Sequence, residues 1–458
     1  MSKRKKSRSK SKANPFSGLP PLNLNAAGID VGNAEHWVAV PSDRDAKPVR
    51  KFESFTADLN RMADWLQTCG IDSVVMESTG VYWISLYQIL DSRGIDVKVV
   101  NARHVKCLPG RKSDILDCQW LQKLHTFGLL NNSFRPADEI CVLRCYLRQR
   151  ESMISAASTC IQHMQKALTE MNVQLANVIS DISGMTGLSI IRSILAGERN
   201  LQKLAELRDC RIKASEQEIA KSLEGNWRDE LLFVLRQSLD LYEVYQNKIA
   251  DCDLKIEAHL REFDSRVDPS RQPLAAPKRG KKAHSNAPGF DLRTELYRIS
   301  GTDLTRIDGI DVSTAQTIIS EIGLDMSRWP TEKRFASWLG LCPDNRITGG
   351  RIVKRGTQHV VNRATVALRL SAVSLRNSQS ALGANFRRLQ SRLGAPKAIT
   401  AMAHKLARLV YRMLRYGQQY VDKGMQHYQE RYQRQRRSWL EKQAKELDLQ
   451  LVPVPLTK

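Results

Sequence analysis

The stretch AAGIDVGNAEHWVAVP, residues 26 to 41, holds two short apolar runs divided by a polar turn, each of strand length. KFESF (51–55) continues the habit as a third strand. TADLNRMADWLQTCG then changes period: Leu59, Met62, Trp65 and Leu66 share one helix face, and Thr56 is expected as its N-cap. DSVVMES reads as a buried strand, GVYWISLYQILDSRG as a second helix, DVKVVNA as a further strand and GRKSDILDCQWL (110–121) as the start of a third helix. Three early strands followed by alternating helix and strand predict an α/β sheet with mixed strand directions.

Outside that block the chain is basic. Its 458 residues hold 71 Lys and Arg against 48 Asp and Glu, a formal charge of +23, which concentrates polyanions around the protein. Nucleic acid is the expected partner. No apolar run approaches the roughly 20 residues that span a bilayer, and the N-terminus carries no apolar signal segment, so a soluble cytoplasmic protein without membrane contact is expected. The nine cysteines lack the paired spacing of a metal site and are expected as free thiols in a reducing compartment.

Six segments are expected. A disordered basic arm (1–25) precedes an α/β catalytic domain (26–140) and a coiled-coil or dimerisation region (141–263). A Pro- and Gly-rich linker (264–292), a mainly α C-terminal domain (293–424) and a charged helical tail (425–458) follow. The coiled-coil expectation rests on apolar positions 147, 154, 157, 161, 164, 168, 171, 175, 178 and 182, a heptad seam broken only by Arg150. A second stretch, about 214 to 263, repeats the pattern less strictly through Leu232, Leu235, Leu239, Tyr242, Ile249 and Ile256, suggesting an antiparallel hairpin or a dimer arm.

Four acids stand out against this pattern. Asp30 interrupts the first strand, Glu77 ends the buried strand, and Asp114 and Asp117 lie three apart on one helix face. Like charges so placed repel, by roughly 4 kcal/mol for a pair about 4 Å apart at an effective dielectric near 20. Mg²⁺ or Mn²⁺ resolves the conflict, since both favour hard oxygen ligands and can hold the oxygens of a phosphodiester. Taken singly, each acid also has a structural reading as a turn, strand-end or capping residue.

GIDVG, VVMESTGVYW and RKSDILDCQWL together resemble the DEDD motifs of insertion-sequence transposases with a RuvC-like, ribonuclease-H-type domain, the IS one-ten and IS eleven-eleven group or bridge recombinases. The resemblance runs from about residue 26 to about 420. It implies a RuvC-like catalytic domain, strand cleavage and rejoining of donor and target DNA, guidance by a bridge RNA, and a homodimer or homotetramer.

WLGLCPDNRITGGRIVKRG (338–356) reads as a phosphate-binding loop, with Arg346, Arg351, Lys354 and Arg355 around Gly349 and Gly350. The family motif ends in Ser-Gly-Gly, whose serine attacks the DNA backbone; the matching residue here is Thr348, which keeps the hydroxyl and adds a methyl. RIDGIDVSTAQ resembles a helix-hairpin-helix turn, with Asp311 where a second glycine is common. His404, Arg408, Arg412 and Arg415 form a basic stripe, a candidate nucleic-acid face. Two rivals to recombination remain open: a metal-dependent junction nuclease in which water attacks, and a transposase whose chemistry decayed while nucleic-acid binding persisted.

Overall fold

The computed structural model describes residues 18–101, 113–277, 286–417 and 424–452, except 355 and 359, with only the backbone at 346 and 354. Most of the basic arm, Arg355 and Cys107 therefore lie outside the described residues. The chain divides into two compact units, residues 1–135 and 136–458.

The first unit is built on a five-stranded sheet ordered β3-β2-β1-β4-β5. Its strands are β1 (Ala26–Val31), β2 (Glu35–Ala39), β3 (Val49–Glu53), β4 (Ser73–Glu77) and β5 (Asp96–Val100). β1, β2 and β3 pair antiparallel, while β4 runs parallel to both β1 and β5. The expected mixed sheet is present, and it fits a ribonuclease-H-like unit. Strand alternation divides the side chains: Ala27, Ile29, Val74 and Met76 pack with Leu59, Met62, Leu66, Leu86 and Leu90 of α1 (Thr56–Thr68) and α2 (Trp83–Ser92). Val75 and Val100 face the other way, onto Leu121 of α3 (Asp114–Thr126). Thr56 is the first helical residue rather than the cap; Phe55 holds the N-cap position, without a side-chain hydrogen bond.

In the second unit α4 (Asp138–Glu170) and α8 (Asp229–Glu262) lie antiparallel. His259 Nε2 donates to the Glu139 carbonyl at 2.8 Å, while Arg150 meets Asp253 further along. Between the two come a 3-10 turn (Leu175–Asn177) and α5 (Met185–Leu195), α6 (Leu201–Glu206) and α7 (Glu216–Ser222). The heptad seam thus ends as a helix at Glu170. Leu175, Ile179 and Ile182 still enter the same core, but from the turn that follows. The stretch expected as one helix from about 214 is two, α7 and α8, parted by residues 223–228.

Arg150, the break in the seam, is buried and bonds Asp253 through Nε at 2.5 Å and Nη2 at 3.2 Å. Removing one partner of a buried ion pair strands the other charge. Asp253→Ala is therefore expected to lower unfolding stability by about 3–5 kcal/mol, whereas replacing both residues with apolar ones should cost little. Urea unfolding measures both; a loss under about 1 kcal/mol for Asp253→Ala would mean that the pair is already hydrated.

The remaining helices are α9 (Leu292–Ser300), α10 (Val312–Ile322), α11 (Glu332–Trp338), α12 (Arg363–Ser374), α13 (Ala381–Leu393), α14 (Ala395–Tyr416) and α15 (Gly424–Glu446). The segment expected as a loop contains a hairpin, β6 (Arg346–Thr348) and β7 (Arg351–Lys354). No described helix is long and apolar enough to cross a membrane.

Candidate active site

Asp30 and Glu77 stand at the ends of neighbouring parallel strands. The register pairs Ile29 with Met76, so the next residue on each strand is an acid, with backbones about 4.8 Å apart. Both share the parity of Gly28 and Val75 and so face α3. A Cβ at Gly28 would lie 2.3 Å from the Gln122 nitrogen and 2.5 Å from the Cys118 oxygen, so only glycine lets the helix settle on β1. Sequence reading missed this contact, although an isolated glycine inside a strand signals close backbone approach.

α3 runs antiparallel to β1. Leu22 and Asn23, before the strand, donate to the Thr126 carbonyl at the end of the helix, while Gly28 meets Cys118 and Gln122. Asp30 accordingly lies toward the helix start, where Asp114 is exposed and Asp117 half-buried. Ser113 caps this start by accepting from the Leu116 amide. The Cys118 thiol, fully buried, is pushed up to about 12 by burial and then by the charge of Asp30, with Asp117 adding to it. Oxygen donors in this arrangement suit a hard divalent ion. Among the described residues, however, no three of His, Cys, Asp or Glu stand close enough to hold one. The fold therefore sets Asp30 beside Glu77 at the C-terminal ends of β1 and β4, with Asp30 and Asp117 both near Cys118, without closing the four acids into a shared coordination sphere.

The other end of α3 is fixed by His125, 2% exposed, whose Nε2 lies 2.6 Å from Ser73 Oγ. Burial, helped by the charge of Lys98, lowers its pKa from 6.5 to about 4. The unfolded chain then binds the extra proton first. Stability from this residue should be complete above about pH 6.5 and decline as pH falls toward 4, by about 3 kcal/mol in all. Unfolding midpoints across that range check this: His125→Gln should flatten the slope, and an unchanged slope would place the proton elsewhere.

Thr348 occupies the last position of β6, opposite Arg351. Gly349 and Gly350, with φ of 54° and 75°, form the two-residue turn between them. Positive φ at both turn residues matches the twist of the flanking strands, and glycine adopts it without strain. This is why the double glycine makes a hairpin here rather than an open loop. Thr348 and Arg351 are exposed, as are Ile347, Ile352 and Val353.

The basic stripe is only partly available to a ligand. Arg408 and Arg412 of α14 both bond Glu332 of α11, Arg412 through Nε at 2.5 Å. The Arg412 hydrogen bond leads in holding the Glu332 carboxyl down to about 2. Half-buried His404 has its pKa lowered by burial and by Arg408, while Arg415 is exposed. The two middle arginines thus pin one helix to another. In the helix-hairpin-helix segment the first element is a 3-10 turn (Leu304–Arg306), and Gly309 has φ of 90°. Asp311 caps α10, accepting from the Thr314 amide at 2.8 Å, so its carboxylate has a structural task.

Residues 27–173 match a family model described as a transposase, the DEDD domain of the IS110 group. Residues 301–385 match a second, the transposase IS116/IS110/IS902 family. The first span contains all four acids and the second contains Thr348; His404, Arg408, Arg412 and Arg415 fall beyond both. No curated protein matches the chain.

Proposed function

The chain belongs to the IS110 family of transposases, and from that premise we propose that it moves an insertion sequence through a covalent link between Thr348 and DNA. The observation that carries this reading is the pairing of Asp30 and Glu77 at adjacent strand ends, facing the helix that bears Asp114 and Asp117. Drawn closer together than they stand here, these four residues would hold Mg²⁺ or Mn²⁺, which when bound supplies charge to the phosphodiester oxygens. Thr348 Oγ loses its proton and attacks phosphorus; the Oγ–P bond forms, the P–O bond to one sugar breaks, and that sugar leaves as a hydroxyl. A hydroxyl of the second strand then attacks the same phosphorus, forming the rejoined strand and returning Oγ to Thr348. Exposure of Thr348 at a hairpin tip supports access to a strand, and Arg351 opposite it is placed to pair with phosphate.

A bridge RNA would choose the sites by base pairing, leaving the protein to hold backbones, a task suited to its charge of +23. Exchanging several strands requires at least a dimer, with acids from one copy serving the threonine of another. Mixing Asp117→Ala chains with Thr348→Ala chains tests this. Recovered recombination is expected, whereas no recovery would argue for acids and hydroxyl acting within one chain. The added methyl of Thr348 favours one rival, a nuclease in which water attacks; a DNA adduct on Thr348 that survives denaturation excludes it.

A further inference from the structure

The second unit carries a partly open pocket of about 240 Å³ between α4, α10 and the start of α12, far in sequence from the four acids. Four arginines line it: 144, 148, 150 and 363. Two are fully employed by the fold. Arg144 caps α10 through the carbonyls of Ser320 (3.1 Å) and Glu321 (2.9 Å), and Arg150 holds both oxygens of Asp253 and the Asn286 carbonyl.

The other two are not. Arg148 gives one nitrogen to Glu321 at 3.0 Å and Arg363 gives one to Glu151, and both side chains are about half exposed. Set against Glu321, Glu151 and Asp253, the four guanidinium groups leave one positive charge uncompensated. Deeper in the wall, Gln316 is 6% exposed and its Nε2 has no hydrogen-bond partner. Gln316 also lines the cavity, and an unsatisfied buried amide costs about 1–3 kcal/mol, which an acceptor in the cavity would recover once the side chain turns its Nε2 toward it.

We infer that this cavity binds a backbone phosphate of a nucleic-acid strand together with its attached sugar. The phosphate sits on the spare donors of Arg148 and Arg363, and an oxygen of the sugar reaches Gln316. A phosphate alone would leave much of the space empty, since one water takes about 30 Å³. The pocket thereby grips a strand at a point other than the reacting one. The inference deepens the proposed function, because it presumes a nucleic-acid substrate.

The test is equilibrium binding of labelled single strands, RNA and DNA of one sequence, to the full chain. Arg363→Gln should weaken binding by about tenfold and lower the salt slope by about 0.7 log units per log salt. Gln316→Met, nearly isosteric, should weaken binding about fivefold at unchanged slope. Glu151→Gln, which releases Arg363, should tighten it severalfold, a gain that a purely structural role does not give. Stronger loss for RNA than for DNA assigns the Gln316 contact to the 2′-hydroxyl, and equal loss assigns it to the shared sugar oxygens. Wild-type affinity in all three variants, or a Gln316→Met chain that is merely more stable, overturns the site. Strand exchange by wild type is scored separately. Exchange with unaltered variant binding removes this inference alone, whereas cavity-dependent binding without exchange removes the proposed function alone.

Discussion

Thr348→Ala is expected to lower strand exchange at least about 10³-fold while leaving DNA binding and unfolding unchanged, because the residue sits exposed at a hairpin turn and packs against no core. Thr348→Ser keeps the attacking oxygen and removes the methyl that restricts χ1. If that methyl holds the hydroxyl off its attacking rotamer, at a cost on the order of 1 kcal/mol, serine should exchange strands about fivefold faster. The two variants pull in opposite directions from one atom, which a structural role for the hairpin does not produce. A gain of many orders of magnitude in the serine variant would instead mean that the natural protein has lost its chemistry. Full activity in the alanine variant would place the nucleophile elsewhere.

Asp30→Asn carries the second large effect. Strand exchange should again fall by about 10³-fold, and the response to divalent ion should vanish from the folding equilibrium. A ligand present at 100 times its dissociation constant stabilises the folded state by about 2.7 kcal/mol, so added Mg²⁺ should raise the wild-type unfolding midpoint and leave that of Asp30→Asn in place. A wild-type midpoint that ignores both Mg²⁺ and Mn²⁺ would count against all four acids as ligands.

Much of this was legible because the signals are local. Alternation marked β1 and β2, the Leu59–Leu66 spacing marked α1, and acids set into apolar runs marked the candidate site. Reading failed where a local pattern has several tertiary outcomes. The Arg408–Arg412 spacing does not reveal a partner within the chain, and only the packing of α11 against α14 shows that both arginines hold Glu332. The heptad seam through position 182 is real as an apolar pattern, yet its last members are buried by a turn, because a core accepts an apolar side chain from any backbone direction.

The sequence by itself determined which residues could carry charge, hydroxyl and turn: the four acids, Thr348, and the two glycines that fold the hairpin. Such properties belong to a residue and its immediate neighbours. Tertiary structure alone decided which of them meet. Strand order set Asp30 beside Glu77, the bare backbone of Gly28 let α3 approach, and the packing of α4 near α10 left Gln316 Nε2 buried without a partner. Contacts between segments far apart in the chain depend on how whole faces are buried together, and that free energy is summed over many residues rather than written at any one position.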